Sequence, residues 1–154
     1  MNPNKSAMSL AIEEAKKADS CGEEPVGALI THFRTGGIIV KEHNRVLSLS
    51  DPTAHAEILA IRSAGSLLGQ ARLSECDIIV SLEPCPMCAG AILNSRIEKV
   101  YFGCYDTELG ACGSKFEICG NPNYVTPSVV KGGILEHESL SLIQEYFITK
   151  RKGK

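Results

Sequence analysis

Residues 77–90 read DIIVSLEPCPMCAG, and this stretch decides the fold class. The apolar run over residues 77–82 is typical of a strand that other elements cover on both faces. A pair of cysteines follows directly, and a helix is predicted from Pro86 to about Asn94. A buried strand that leads straight into a helix indicates an α/β protein.

The rest of the chain alternates between helical and strand patterns. Apolar residues at helical spacing predict a helix over residues 5–18 and another from Ala54 to Gly69. A turn signal at residues 35–37 separates two predicted strands and favours a hairpin. A last helix is predicted at residues 135–150. Residues 106–127 are rich in Gly, Pro and Asn and fit no element. Strands are predicted at residues 26–31, 38–46, 77–82 and 100–104. This order predicts a central sheet between helices, in a single domain that spans residues 1–154.

The composition is that of an ordinary globular protein. Of the 154 residues, 44% are hydrophobic and 22% are charged, and the formal net charge of -2 does not by itself indicate a nucleic-acid-binding protein. Residues 1–17 have no long apolar core, so we predict neither a signal peptide nor a membrane-spanning segment and expect a cytoplasmic protein. Seven cysteines in a chain of this length make a poor disulfide framework and favour metal binding or reduced thiols.

Two short motifs at the starts of predicted helices contain side chains that bind metals. His55 lies in the stretch DPTAHAE, and Cys85 and Cys88 lie in PCPMC. Residues three apart share a helix face, and two helix ends that converge can surround a metal with two thiolates and an imidazole. Zinc prefers tetrahedral nitrogen and sulfur ligands, and its catalytic sites use three protein ligands. We therefore predict that these three residues bind Zn²⁺, with the helix dipoles favouring the thiolates.

Glu57, two residues after His55, is the candidate catalytic group. A carboxylate beside zinc-bound water can take a proton from the water and deliver it to a substrate. The combination of H-x-E with P-C-x-x-C is the signature of zinc-dependent deaminases. Two other interpretations remain open here, a C-x-x-C redox motif and a structural zinc whose fourth ligand is Glu57 or one of the other cysteines, Cys21, Cys76, Cys104, Cys112 and Cys119. Those five cysteines are otherwise expected to pack as small apolar residues.

From Pro25 to about Arg151 the chain resembles the cytidine deaminase-like superfamily. Within it, the chain is most similar to bacterial tRNA adenosine deaminases, which make inosine at the wobble position of an anticodon. The resemblance rests on EPVGA (24–28), Asn44, DPTAHAE (51–57), SLEPCPMCAGA (81–91), SRI (95–97), FG (102–103), Asp106, GACGS (110–114) and GIL (133–135). It implies a three-layer α/β/α sandwich with a central mixed sheet, a Zn²⁺ cofactor, and a homodimer that binds the anticodon loop of a tRNA.

The same resemblance implies roles for individual residues. Asn44 would hydrogen-bond the edge of the target base, the Ala56 backbone N–H would contact the base near the reacting carbon, and Asp106 would lie beside the flipped nucleotide. Water would attack C6 of adenine, and Glu57 would carry its proton to N1 and later to the departing amine. Asn44 and Asp106 have an alternative interpretation as turn residues, since both types favour turns and caps.

Departures from the tRNA branch keep a second substrate class open. Tyr105 and Glu108 stand where tRNA deaminases often carry basic residues, and residues 124–127 replace an Asn-His-Arg-like run. Both changes remove contacts to phosphate, which dominate affinity for RNA. The basic tail at residues 150–154 would restore some of these contacts or is simply a solvated terminus. The alternatives are therefore a deaminase of a free base or related small molecule, such as guanine, and a non-catalytic zinc-stabilised subunit, against which Glu57 argues.

Overall fold

The computed structural model describes residues 3–152, in which a five-stranded sheet lies between two pairs of helices. In chain order the elements are α1 (Pro3–Ser20), β1 (Gly27–His32), β2 (Ile38–His43), α2 (Ala56–Leu68), β3 (Cys76–Leu82), α3 (Pro86–Asn94), β4 (Lys99–Cys104), β5 (Val129–Lys131) and α4 (Glu136–Lys152). Every predicted helix and strand is present, which confirms the three-layer α/β/α sandwich. No helix in this part of the chain is long and apolar enough to cross a membrane.

The sheet is mixed, and its strand order is β2-β1-β3-β4-β5. Strand β1 runs antiparallel to both β2 and β3, and the β1–β2 pair is the predicted hairpin, with Gly27 opposite His43. Strand β4 runs parallel to both β3 and β5. The apolar run of β3 therefore lies at the centre of the sheet, where residues 76–81 are buried.

Alternating side chains of the central strands build two separate cores, as the two-residue period of a strand requires. Ile78 and Val80 join a cluster with the alanines of α2, whereas Ile79 packs with Met8 of α1 on the opposite face. Helix α1 lies so close to the sheet that a Cβ on Gly27 would come within 2.0 Å of a carbonyl oxygen of that helix. Each face of the sheet is thus covered by its own helical layer.

The sequence predicts that the second strand ends at Val46, but β2 ends at His43. The cause is a buried carboxylate: Glu23, 2% exposed, accepts hydrogen bonds from the backbone N–H groups of Leu47 (2.9 Å) and Ser48 (2.8 Å). Although burial opposes ionisation, these bonds lower the pKa of Glu23 below its ordinary value. The chain therefore turns away from the sheet after β2 and leads into the segment before α2.

Candidate metal centre and active site

Helices α2 and α3 both begin with an extended residue that carries a predicted metal ligand. His55 precedes α2 with φ −69° and ψ 152°, and Cys85 precedes α3 with φ −75° and ψ 172°. Pro86 then begins α3, which suits proline because the first helical N–H has no partner within the helix. Neither His55 nor Cys85 uses its side chain to cap its helix. Both side chains are therefore available to meet a ligand beyond the helix ends.

The predicted ligands lie together in the folded chain. Nδ1 of His55 is 3.6 Å from Sγ of Cys85 and 3.5 Å from Sγ of Cys88, although the residues are 30 and 33 positions apart in sequence. All three donor atoms lie within 4.8 Å of one another. Tetrahedral zinc with ordinary Zn–N and Zn–S bonds would place its nitrogen and sulfur ligands about 3.6 Å apart. The donor set and its spacing therefore fit zinc.

The titration of the two thiols also fits a cation site. The hydrogen bond from Cys88, with a second from His55, lowers the pKa of Cys85 to about 4. The same bond, burial and the nearby Glu57 carboxylate raise the pKa of Cys88. The group thus favours one thiolate, and a bound divalent cation would favour ionisation of the second thiol as well.

Glu57 lies in the first turn of α2, is 4% exposed and faces the Cys88 thiol. Burial raises the pKa of its carboxyl group. In the described part of the chain, His55, Cys85 and Cys88 are the one group of three or more donors that could hold a metal ion. Neither Glu57 nor another cysteine joins this group, so a closed structural site has no fourth protein ligand. A buried carboxylate beside three donors that could hold a metal ion is the arrangement that catalytic zinc sites use.

Asn44 and Ala56, both predicted to contact the substrate, contact each other. Asn44 is 4% exposed, and its Oδ1 accepts a hydrogen bond from the Ala56 backbone N–H at 2.9 Å. The Asn44 side chain thereby serves an unpaired N–H group at the start of α2, next to the metal ligand His55. Its amide nitrogen takes no part in this bond.

Asp106 forms the turn that follows β4. Its Oδ1 accepts hydrogen bonds from the backbone N–H groups of Glu108 (3.0 Å) and Leu109 (3.2 Å), as the turn interpretation predicted. The residue also lines a cavity of about 830 Å³ together with Glu24, Tyr105 and residues of α4. Burial raises the pKa of Glu24, which interacts with His55 and Asp106. Asp106 therefore shares a cavity with Glu24, whose carboxyl group interacts with His55, and part of the Asp106 carboxylate holds its own loop.

Glu83 holds a loop of the site, a role that the sequence does not predict. It is 2% exposed and lies two residues before Cys85. It accepts hydrogen bonds from the backbone N–H groups of Asp106 (3.1 Å), Cys112 (3.0 Å) and Ser114 (3.1 Å) and from the Ser114 hydroxyl. A Cβ on Gly110 would lie 2.5 Å from this carboxylate, so only glycine allows the loop to approach so closely. Glu83 thus fixes the loop that contains Asp106 against the segment that supplies a metal ligand.

We expect Glu83→Gln to lower the free energy of unfolding by about 3 kcal/mol, because an amide would turn an NH₂ group toward donors that need an acceptor. Thermal denaturation should show Tm falling by about 6–12 °C. The control is Glu117→Gln, at an exposed carboxylate that accepts one backbone N–H from Gly120, and its Tm should barely change. Equal Tm values for the two variants would contradict this role of Glu83.

A comparison with protein families defines the class. The family described as the cytidine and deoxycytidylate deaminase zinc-binding region matches residues 1–104, which include all three candidate metal ligands and Glu57. The sandwich fold, the ligand set and this match define a zinc-dependent hydrolytic deaminase. This result excludes the interpretation of C-x-x-C as a redox motif.

Similar proteins specify the branch. The tRNA-specific adenosine deaminase of Bacillus subtilis (strain 168) is 40% identical over 147 residues, which cover 96% of this chain and 90% of that protein. A solved structure from studies of A-to-I editing by tRNA:A34 deaminases is 40% identical, with a TM-score of 0.84 over 89% of this chain and 98% of that one. The guanine deaminase structure from Bacillus subtilis is 33% identical, with a TM-score of 0.63 over 92% and 91% of the two chains. The chain belongs to the family of tRNA-specific adenosine deaminases.

Proposed function

We propose that this enzyme converts adenosine to inosine at the wobble position of a tRNA anticodon loop. The observation that carries the proposal is the 40% identity to a tRNA-specific adenosine deaminase, which extends over 96% of the chain. The alignment therefore extends over the loops and the last helix as well as the metal motifs. A likeness limited to the metal motifs would support only the reaction class.

The reaction replaces the exocyclic amine of adenine with oxygen, so that water adds at C6 and ammonia leaves. His55, Cys85 and Cys88 would hold the zinc, which supplies Lewis acidity that lowers the pKa of water. Glu57 takes the proton from the water and gives it to N1, and it later delivers a proton to the amine. Its burial beside Cys88 keeps bulk water away from these transfers.

Asn44 and Ala56 would position the base. Because Oδ1 of Asn44 already accepts the Ala56 N–H, the group that Asn44 can offer to the base is its amide nitrogen, as a donor to a ring nitrogen. Contact of the base with the Ala56 N–H requires the Asn44 side chain to move. Asp106, held in its turn, would border the flipped nucleotide.

Stacking would carry much of the RNA affinity. Tyr105 and Phe147 both line the cavity beside Asp106, and they are 46% and 42% exposed. Unstacked bases of RNA loops bind to such aromatic faces. The cavity also contains the acidic residues Glu24 and Glu108, which disfavour phosphate. We therefore propose an anticodon complex that is less sensitive to salt than one based on phosphate contacts.

The basic tail would add phosphate contacts at the edge of this surface. Lys150, on α4, has its Nζ 5.6 Å from the centre of the Tyr146 ring. The side chains of residues 151 and 152 and the whole of residues 153–154 lie outside the described part of the chain. On the same likeness to tRNA deaminases, we propose that the enzyme is a homodimer that acts in the cytoplasm.

The second candidate is deamination of a small molecule such as guanine. It is favoured by the acidic lining of the cavity and by the similarity to the guanine deaminase structure. That structure, however, has a lower sequence identity and a lower TM-score to this chain than the tRNA:A34 deaminase structure has. The third, a non-catalytic subunit, is disfavoured because Glu57 lies buried at the metal centre, where a structural site has no use for it.

The test is ammonia release by the zinc-loaded enzyme at low salt. The substrates are an anticodon stem-loop with adenosine at the wobble position, the matched stem-loop with guanosine there, and a panel of free bases and nucleosides. We expect ammonia from the adenosine stem-loop alone, with inosine found at the wobble position. Release only from guanine or another small molecule would overturn the tRNA assignment and leave the zinc chemistry in place.

A further inference from the structure

Cys112 and Cys119 form a pair of thiols outside the metal centre. Their Sγ atoms lie 2.7 Å apart, and both residues are buried, with exposures of 7% and 0%. Both are free cysteines. The sequence predicts small apolar packing residues at these positions, but packing does not require two thiols in contact.

The backbone holds the two residues in place at both ends of a short loop. Cys112 donates its N–H to Glu83 (3.0 Å), and the carbonyl of Cys119 accepts the N–H of Ser128 (2.7 Å). An isolated antiparallel bridge between Cys112 and Glu117 closes the loop between them. A disulfide requires two cysteines whose backbones are already close. Here the sulfurs can join without a rearrangement of the fold.

The surroundings of the pair do not suit a metal or a permanent nucleophile. Contact with Cys119 and burial raise the pKa of Cys112, so the thiol is unreactive in the closed fold, and its ionisation requires the loop to open. No third donor joins the pair within the described chain, where the metal-binding group is the one at His55. Residues 113–117 of the loop are exposed, so local opening can admit a small reagent.

We propose that Cys112 and Cys119 are a disulfide-forming site that responds to a low-molecular-weight disulfide. One thiol loses its proton and attacks the reagent, which breaks the S–S bond of the reagent and releases one thiol. The second cysteine then loses its proton and attacks the mixed disulfide, which forms the Cys112–Cys119 bond and releases the other thiol. Two electrons pass from the cysteines to the reagent. The product fixes the loop that Glu83 anchors beside the metal centre.

The experiment treats the zinc-loaded full chain with glutathione disulfide, because bound metal protects Cys85 and Cys88. Remaining thiols are alkylated after denaturation, and the protein is digested with trypsin. Cleavage after Lys115 separates the two cysteines, so the disulfide would join peptides 100–115 and 116–131. We expect this joined pair with Cys104 alkylated, and a Tm about 5 °C above that of the reduced protein.

The variants make the result specific. Cys119→Ser and Cys112→Ser should give neither the joined peptides nor the rise in Tm, whereas Cys21→Ser, at an exposed thiol, should match the wild type in both. Separate peptides alkylated at Cys112 and Cys119, under conditions in which Cys21 has taken up glutathione, would overturn the proposal. So would an equal rise in Tm for Cys119→Ser. Neither readout uses deaminase activity, so the result does not depend on the substrate.

Discussion

Glu57→Gln should lower kcat by about 10²–10⁴-fold and leave one zinc ion bound per chain. Glutamine has nearly the shape of glutamate, but its amide cannot take a proton from water and pass it to the base. Zinc should stay bound because the metal-binding group consists of His55, Cys85 and Cys88. The fall should appear in kcat more than in KM, because proton transfer occurs in the transition state.

Two measurements on the purified variant check this expectation, single-turnover inosine formation and zinc content by atomic absorption. Glu13→Gln is the matched control, because Glu13 is an exposed carboxylate on α1, and it should keep wild-type activity. A Glu57→Gln enzyme within twofold of the wild type would rule out the proton-transfer role. Loss of zinc from this variant would instead make Glu57 a ligand.

Cys88→Ser should abolish both zinc binding and activity. Cys88 is completely buried, and its sulfur lies 3.5 Å from Nδ1 of His55. A serine hydroxyl stays protonated at neutral pH and replaces a soft thiolate with a poor zinc ligand. The loss of affinity should exceed the roughly 10–100-fold that follows from losing an outer contact of a metal site. Because zinc binds the folded state, the Tm of the variant should also fall toward that of chelator-treated wild type.

Zinc stoichiometry after dialysis, and Tm with and without added zinc, would test this result. Cys21→Ser removes an exposed thiol, and it should keep one zinc ion and full activity. Retention of stoichiometric zinc by Cys88→Ser would mean that the ligand set is different. If added zinc left the Tm of the wild type unchanged, zinc binding would not stabilise the folded state, and this part of the prediction would be wrong.

Local sequence patterns predicted most of the elements and the metal ligands. The reason is that both motifs lie at helix starts, where the spacing from His55 to Glu57 and from Cys85 to Cys88 already fixes which side chains leave the same helix end. The missed element is β5, whose three residues follow an irregular segment. A run of three residues has no recognisable period, and it becomes a strand only because it pairs with β4.

The part of the site that sequence could not predict depends on contacts between distant segments. Glu83 is a single acidic residue between Leu82 and Pro84, and its partners lie 23 to 31 positions further along the chain. One signal was available, since a carboxylate that ends an apolar strand must find hydrogen-bond donors if it is buried. The sequence predicts that Asn44 and Ala56 contact the substrate, and no local pattern indicates that they bond each other.

The bonds of Glu83 have an evolutionary consequence. Three of them end on backbone N–H groups, at residues 106, 112 and 114, and a backbone N–H is supplied by any amino acid except proline. Mutations at the exposed positions of the same loop, such as Tyr105 and Glu108, can therefore accumulate while the loop keeps its path. Substrate specificity can therefore change by single substitutions in this loop during evolution, while the enzyme keeps its deamination chemistry.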